Sequence, residues 1–545
     1  MTCRFRSLTA LCAFSLLLSA CGGGGGSGNT IPPANTATSS SGSSSSSSSS
    51  GGTSSSGSSS SGGSTSSGGS SSSSSGGSSS GGTATISEAC RTLATDSNVN
   101  WRDSAELATD QEIVECLSQS LGRAVGYGEQ ALGGYDPDGE SKLTVITKDG
   151  GKSIEQQILE AIGGDGHNWI VFDKFDFAEE TEVALYRDYC DQASVQNAIG
   201  GTEAQCVDYH QWCTDNGFGA ESACLTEFFN NRLNDGALPI RNPVIGTNKT
   251  IDGRFSKAYF RFNGFSIGTD SNGSDNVILT HLDFRGAGHT EDHDLDPDMI
   301  RATGGSQDIW IHKNTFDLTG DSAFDVKRGT HHLTMSFNRL MDVKRASLHG
   351  SSDDRTENAD IRTTMHHNAF VTRDDLYDTF GSGGRRVPLL RRGSSHMFNN
   401  LFMNYRREVL SVRVGASVLW QDNMFLVNKD ISADSLDYLQ SNLVTDISGG
   451  NFRAEGSRIW MADAACDLDA ADFRDINAAS GVVADLAADY SQESRDKIAA
   501  ERVAAGQQLA DYISATAGKY GEMPFNSPLA NNQAYVLDLG KVSCQ

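Results

Sequence analysis

The sequence predicts an all-β fold, a parallel β-helix (solenoid) with capping helices and long loops. Three observations predict it. Short β-like runs recur at a spacing suited to one coil, each closes on a polar residue followed by Phe or Leu, and hairpin signals such as Asn-Gly are nearly absent between them. The runs are NVILTHLDF, DIWIHKNTF, HLTMSFNRL, IRTTMHHNAF, SHMFNNLF and SVLWQDNMF. Their closing residues are Asp283, Asn314, Asn338, Asn368, Asn400 and Asn423, separated by 31, 24, 30, 32 and 23 positions. Stacking the coils brings the asparagines above one another, where their amides can hydrogen-bond as a ladder and pin the turn. The first segment departs from the pattern, because Asp283 stands directly before Phe284.

In chain order, residues 1–20 read as a signal peptide: a basic start, a short apolar run from Leu8 to Leu18, then small residues before Cys21. The apolar run is too short for a permanent membrane span. Ending on cysteine resembles a bacterial lipobox, which implies a lipid on Cys21 and an exported lipoprotein at the outer membrane or cell surface, with plain secretion as the alternative. Residues 21–83 are almost wholly Ser and Gly after that cysteine, a linker with next to nothing apolar to bury. Its typical reach is roughly 45 Å.

Residues 84–124 form an N-terminal extension, and 125–545 the β-helical body. Helical patterns at Ser153 to Ile162 and Ser494 to Ala517 supply the covers that a solenoid needs, with Gly518 as a stop signal. Eight cysteines follow the lipobox, an even number in an exported chain, and the close run from Cys190 to Cys224 suggests a stapled insertion at 177–236. Their connectivity is open. The net charge of −26 argues against nucleic acid as a partner, and the chain is expected to be a monomer.

Against that acidic balance, three constellations lie on successive coils. Asp296 and Asp298 in DLDPDMIR, with Asp321 and Asp325 in GDSAFDVK, can converge as four carboxylates, and an all-oxygen set selects a hard cation, calcium. Aspartate is also common in turns for local reasons. Lys344 and Arg345 follow in DVKRASLHGSS. RRVPLLRRG then sets Arg386 and Arg391 around Pro388, a fixed bend from which guanidinium groups can be aimed. Acidic beside basic residues describes either a salt-bridge network or a cation-bridged site for an anionic ligand.

NKTIDG at 248–253, NVILTHLDF, the two carboxylate motifs, MHHN, RRVPLLRRG and VGYGEQALGG at 125–134 together resemble the pectate lyases of polysaccharide lyase family 1, over roughly Val125 to Asp430. The resemblance implies a right-handed parallel β-helix, Ca2+ as cofactor, and β-elimination of α-1,4-linked polygalacturonate to 4,5-unsaturated oligogalacturonides. It implies Asp296, Asp298, Asp321 and Asp325 as metal ligands. Arg386 is the implied base, and Lys344, Arg345 and Arg391 are the implied substrate-binding residues. Arg345 stands where the family usually has lysine, which exchanges a point donor for a planar fork. The loop VTRDDLYDTFGSGG before the arginines is long and acidic.

Removing the C5 proton of a galacturonate places negative charge beside an existing carboxylate, so cations must neutralise it. An arginine base, with an ordinary pKa above about 12, implies activity that rises at alkaline pH. Two alternatives are a pectin lyase on methylated substrate, against which the aspartates argue, and a non-catalytic surface protein that binds acidic glycans.

Overall fold

The computed structural model describes residues 86–287, 295, 297–378 and 384–522. The expected signal peptide, the Cys21 lipid site, the linker, Asp296 and Cys544 lie outside them. The described chain winds into three sheets, to each of which nearly every coil contributes one strand. The first, of eleven strands, begins with Lys142–Ile146 and Asn168–Phe172 and continues through Ile309–His312, Leu333–Ser336, Arg362–His366 and Ser394–Phe398. The second has ten strands, including Thr315–Asp317 and Leu401–Met403. The third, of eight, runs from Val244–Ile245 to Asp446–Ser448, and the described candidate residues lie on its strands or beside them. Pairing is parallel until the last strands, Leu468–Asp475 and Ala479–Ser480, which add on antiparallel. This is a parallel β-helix.

Like side chains stack from coil to coil, as parallel register requires. Ile251, Leu279, Ile311, Met335, Met365 and Met397 form one buried column. Phe370, Phe402 and Phe425 form another, with ring centroids 4.8 and 4.3 Å apart. Each such side chain contributes about 1.5–3 kcal/mol by leaving water.

Between the first and second sheets the chain bends through one residue with positive φ, Lys313, Phe337, His367, Asn399 or Asp422, and the next residue is the ladder asparagine. The amide oxygen of Asn338 accepts from the backbone N–H of Asn314 (2.9 Å) and from its Nδ2 (3.2 Å). The same double bond links Asn338 to Asn368, Asn368 to Asn400, and Asn400 to Asn423. Asp283 is not a rung. It pairs in register with Thr315, one position past the ladder, and it is the N–H of Leu282 that donates to Asn314 Oδ1 (2.8 Å).

The helix Ile154–Ile162 closes the first coils, started by a capping box between Ser153 and Gln156, and buries Ile158 and Ile162 in the main core. The C-terminal pattern forms two helices, Gln492–Glu501 and Gln507–Thr516, but neither covers an end. Gln507–Thr516 lies on the outer face of the second sheet, with Leu509 and Ile513 against Met341, Val371 and Leu401. The far end is closed by the short helix Leu436–Asn442, whose Leu436 and Leu439 enter the core. Amphipathic spacing marked a buried face correctly but not which surface would cover it.

The segment 125–134 runs across the outside of the first sheet. Its N–H groups at Tyr127, Gly128 and Gly134 donate to the hydroxyls of Thr364, Thr334 and Thr250 at 3.0, 2.9 and 2.9 Å. A Cβ at Gly128 would stand 2.6 Å from Ile309 O, so only glycine permits the approach. Disulfides join Cys90 to Cys116 in the extension and Cys190 to Cys206 and Cys213 to Cys224 in the insertion, and Cys466 is also disulfide-bonded. The insertion's aromatic core packs on Phe262, Ala287 and Leu295, beside the third sheet. Among the described residues no helix is long and apolar enough to cross a membrane.

Two tests follow from the turn. Asn368→Leu leaves the buried N–H of Asn338 without its acceptor and should destabilise by about 1–3 kcal/mol in urea unfolding. His367, on that same turn, is buried between aromatic neighbours, and burial pushes its pKa down to about 3. Above the ordinary value of about 6.5 both folded and unfolded chains keep it neutral. Below that, only the unfolded chain takes up the proton, so stability falls as pH drops from about 6.5 toward 3. The melting temperature should decline over this range less steeply in His367→Phe.

Candidate active site

The outward face of the third sheet brings the candidate residues together. Parallel register sets Ser266, Arg301 and Asp325 in one row across neighbouring strands. The bridge residues Ser322, Arg345 and Arg385 form another row. Arg386 follows, its main chain held by its carbonyl accepting from Ser347 N–H (2.7 Å) and with φ of 59°, and Val387–Pro388 is a cis peptide. A non-glycine residue in the left-handed region persists only where its surroundings hold it, a feature common at functional sites.

The carboxylates divide into two sets. Asp298 and the fully buried Asp325 share the ammonium of Lys327, at 3.1 and 2.6 Å. Burial, then the nearby charge of Asp325, holds Asp298 well above the ordinary carboxylate range. Burial also pushes Asp325 up, but Lys327 together with hydrogen bonds from Ser322 and the Leu348 N–H outweighs it and the net shift is downward. Burial works against the charge of Lys327, yet the two carboxylates prevail and raise its pKa. Asp321 faces the other way: Arg345 Nη1 donates to its Oδ1 at 2.7 Å, and Arg386 Nη1 stands 3.6 Å from the same atom. Of the four aspartates expected to converge, Asp296 lies outside the described residues and Asp321 stands apart from Asp298 and Asp325; among the described residues no three metal-ligating side chains gather.

Calcium can still be tested against what is present. Asp298 Oδ1 is buried without a hydrogen-bond partner, and Asp325 offers a second buried oxygen facing Lys327. Two adjoining hard oxygen donors, one of them unsatisfied, fit a hard divalent cation that would share the site with the lysine ammonium.

Arg391 lies on the same coil as Arg386, its Nε donating to Asp353 Oδ1 (2.6 Å) and its Nη1 to Gly350 O (2.7 Å). Lys344 is half-buried on the turn before Arg345, its carbonyl accepting from Arg385 N–H (3.0 Å). The described part of the acidic loop is tied down, with Asp374 accepting from Asn404 and Asn428 at 2.9 and 2.7 Å. Sequence reasoning missed Lys327, although it stands two residues from Asp325, just past the end of its strand Phe324–Val326. It also missed Asp270, which pairs with Arg301 and with Arg328 across the groove.

Residues 236–493 match the family model described as Pectate lyase. Probable pectate lyase P56 of Solanum lycopersicum is 26% identical over 214 residues, which cover 37% of this chain and 51% of that protein. The pectate trisaccharide-lyase of Bacillus licheniformis is 32% identical over 142 residues, 25% of this chain and 38% of that one. Pectate lyase B of Dickeya chrysanthemi is 30% identical over 169 residues, covering 29% and 41%. A solved pectate lyase from Acidovorax avenae subsp. citrulli aligns over 74% of this chain and 96% of its own, with a TM-score of 0.48 and 14% identity. The chain spans about half or less of the length of these curated relatives. Over residues 236–493 the β-helical body of this chain is similar to the pectate lyase family.

Proposed function

We propose that this chain is a calcium-dependent pectate lyase that cleaves α-1,4-linked polygalacturonate by β-elimination, leaving 4,5-unsaturated ends. The observation that carries the reading is the meeting of two charge sets on one sheet face, carboxylates at Asp298 and Asp325 and guanidinium groups at Arg345 and Arg386. A polyanion lying along that face meets cations on one side and a cation-binding carboxylate pair on the other.

Asp298 and Asp325 would hold calcium, while Asp321 stays with Arg345. When bound, calcium supplies a charge that neutralises the uronate carboxylate and so favours loss of the neighbouring proton. In its neutral guanidine form Arg386 takes the C5 proton and becomes the guanidinium; its side chain, 21% exposed, is reachable from the groove while its backbone is held. Arg345 keeps Asp321 engaged and, with Lys344, holds a uronate carboxylate beside the reacting sugar. Arg391, steadied by Asp353, offers its remaining donors to the next unit. Electrons from the C5–H bond form the C4–C5 double bond as the glycosidic oxygen leaves C4.

The purified protein on polygalacturonate should give ultraviolet absorbance of the unsaturated product with calcium and none with chelator. Reducing sugar without absorbance would mean a hydrolase instead, binding without either a non-catalytic glycan binder, and activity on methylated pectin that survives chelation a pectin lyase. Arg386→Ala and Arg386→Lys should each lower kcat by about 10²–10⁴ with the melting temperature kept. Near-normal turnover would remove Arg386 from the role of base.

We also propose that the chain is exported and anchored by a lipid on Cys21, on the strength of its N-terminal sequence. Cells given labelled fatty acid should yield labelled protein, and Cys21→Ser should release it unlabelled.

A further inference from the structure

On the N-terminal side of Asp298 a cleft of about 310 Å³ opens on the third sheet, at the low end of the size range for ligand pockets. Its floor is Ser266, Arg301 and Thr303, and its walls include Arg241, Asn263 and Leu295. Ser266 lies two strands before Asp325 in the same row, roughly 10 Å away. Buried polar atoms without partners are uncommon in a folded chain, and each asks for an explanation. Two of them belong to residues lining this cleft beyond the carboxylate pair: the acceptor Asn263 Oδ1 and the donor Arg301 Nε.

Arg241 adds a charge. Its guanidinium is steadied by backbone carbonyls alone, those of Leu238 (2.7 Å), Ile240 (2.6 Å) and Gly236 (3.3 Å). Three of its five donors are so used and two remain. Among the described residues no carboxylate pairs with it, unlike Arg301 and Arg328, which share Asp270. The segment is held against the site by Asn242, whose Nδ2 donates to Asp298 O (2.7 Å). Val244, 43% exposed, and Leu295 give the cleft an apolar side. A fixed cation, a buried hydroxyl acceptor, a buried donor and a small apolar wall are complementary to a hexuronate ring, with its carboxylate, hydroxyls and C–H face.

We propose that this cleft is an outer subsite that holds a uronate unit of the polymer, with Arg241 on its carboxylate and Asn263 Oδ1 accepting from a ring hydroxyl. The proposal rests on the lyase reading and extends it: the subsite governs preference for longer chains without taking part in elimination. Arg241 is exposed, so replacing it leaves the core intact.

Wild type and Arg241→Ala should be compared on tri-, hexa- and octagalacturonate with calcium. The subsite predicts that kcat/KM of Arg241→Ala falls about tenfold on the longest oligomer, mostly through KM, and is unchanged on the shortest one cleaved, with Arg241→Lys between. An equal fall at every length, or no fall at any, overturns it. Wild type that produces no unsaturated ends refutes the lyase reading, not the subsite. Calorimetric binding of the same saturated oligomers then decides: length-dependent weakening in Arg241→Ala upholds the subsite, and equal affinities overturn it.

Discussion

Five successive coils of this protein turn from the first sheet to the second through a residue in the left-handed region, and none of Lys313, Phe337, His367, Asn399 and Asp422 is glycine. Such a conformation costs on the order of 1–2 kcal/mol for an L-residue. It is held because the asparagine that follows joins its side-chain amide to the neighbouring turns, accepting from both the backbone and the side chain of the coil before. The ladder therefore sets the phase of every coil relative to the next. With phase fixed, like residues stack, and the aromatic and methionine columns form without further instruction.

The same phase builds the groove. Alternate residues of a strand share a face, so residues far apart in sequence become neighbours whenever their coils are in register. Arg301 meets Asp325, and Ser322 meets Arg345 and then Arg385. Close like charges are kept tolerable by interleaving: Lys327 separates Asp298 from Asp325, Arg345 takes Asp321, and Asp270 separates Arg301 from Arg328. A neutralised carboxylate pair beside a guanidinium pair is a surface that can take an anionic polymer without a large change in net charge. This is why a basic cluster makes chemical sense on a chain with net charge −26.

The ladder was legible because its period is written in residue type; the place where it ends was not. Asp283 has the right chemistry one position too late, and a single-residue offset in a β-strand sends a side chain to the other face. The C-terminal helices were legible as helices, but Leu509 and Ile513 say only that a face is buried, and the second sheet's outer side competes for it with the open end. At the site, charge type and spacing brought out the aspartates, the pair Lys344 and Arg345, and the arginines around Pro388, and the family resemblance gave Arg386 its expected role. The division of Asp321 from the other carboxylates depends on which guanidinium reaches it first, a matter of three-dimensional distance. Arg241 left no sequence signal, because its partners are backbone carbonyls on an irregular segment.

The insertion at 177–236 acquires a meaning from where it packs. Its disulfide-stapled core rests on Phe262, the residue before Asn263, and on Leu295, which lines the same cleft; the chain leaving it delivers Arg241 and Asn242 to the opposite wall. Both walls thus take their support from one stapled unit. Loops ordinarily carry binding groups at the cost of precision, because their backbone is free to move. Here Arg241 is clamped by three carbonyls and its neighbour by Asp298 O, so the cation is held nearly as firmly as one on a strand. A segment added only for stability would have no need to place an arginine with spare donors beside two unpaired buried polar atoms, and its placement is better explained by an extended ligand that continues past the carboxylate pair toward the first coils.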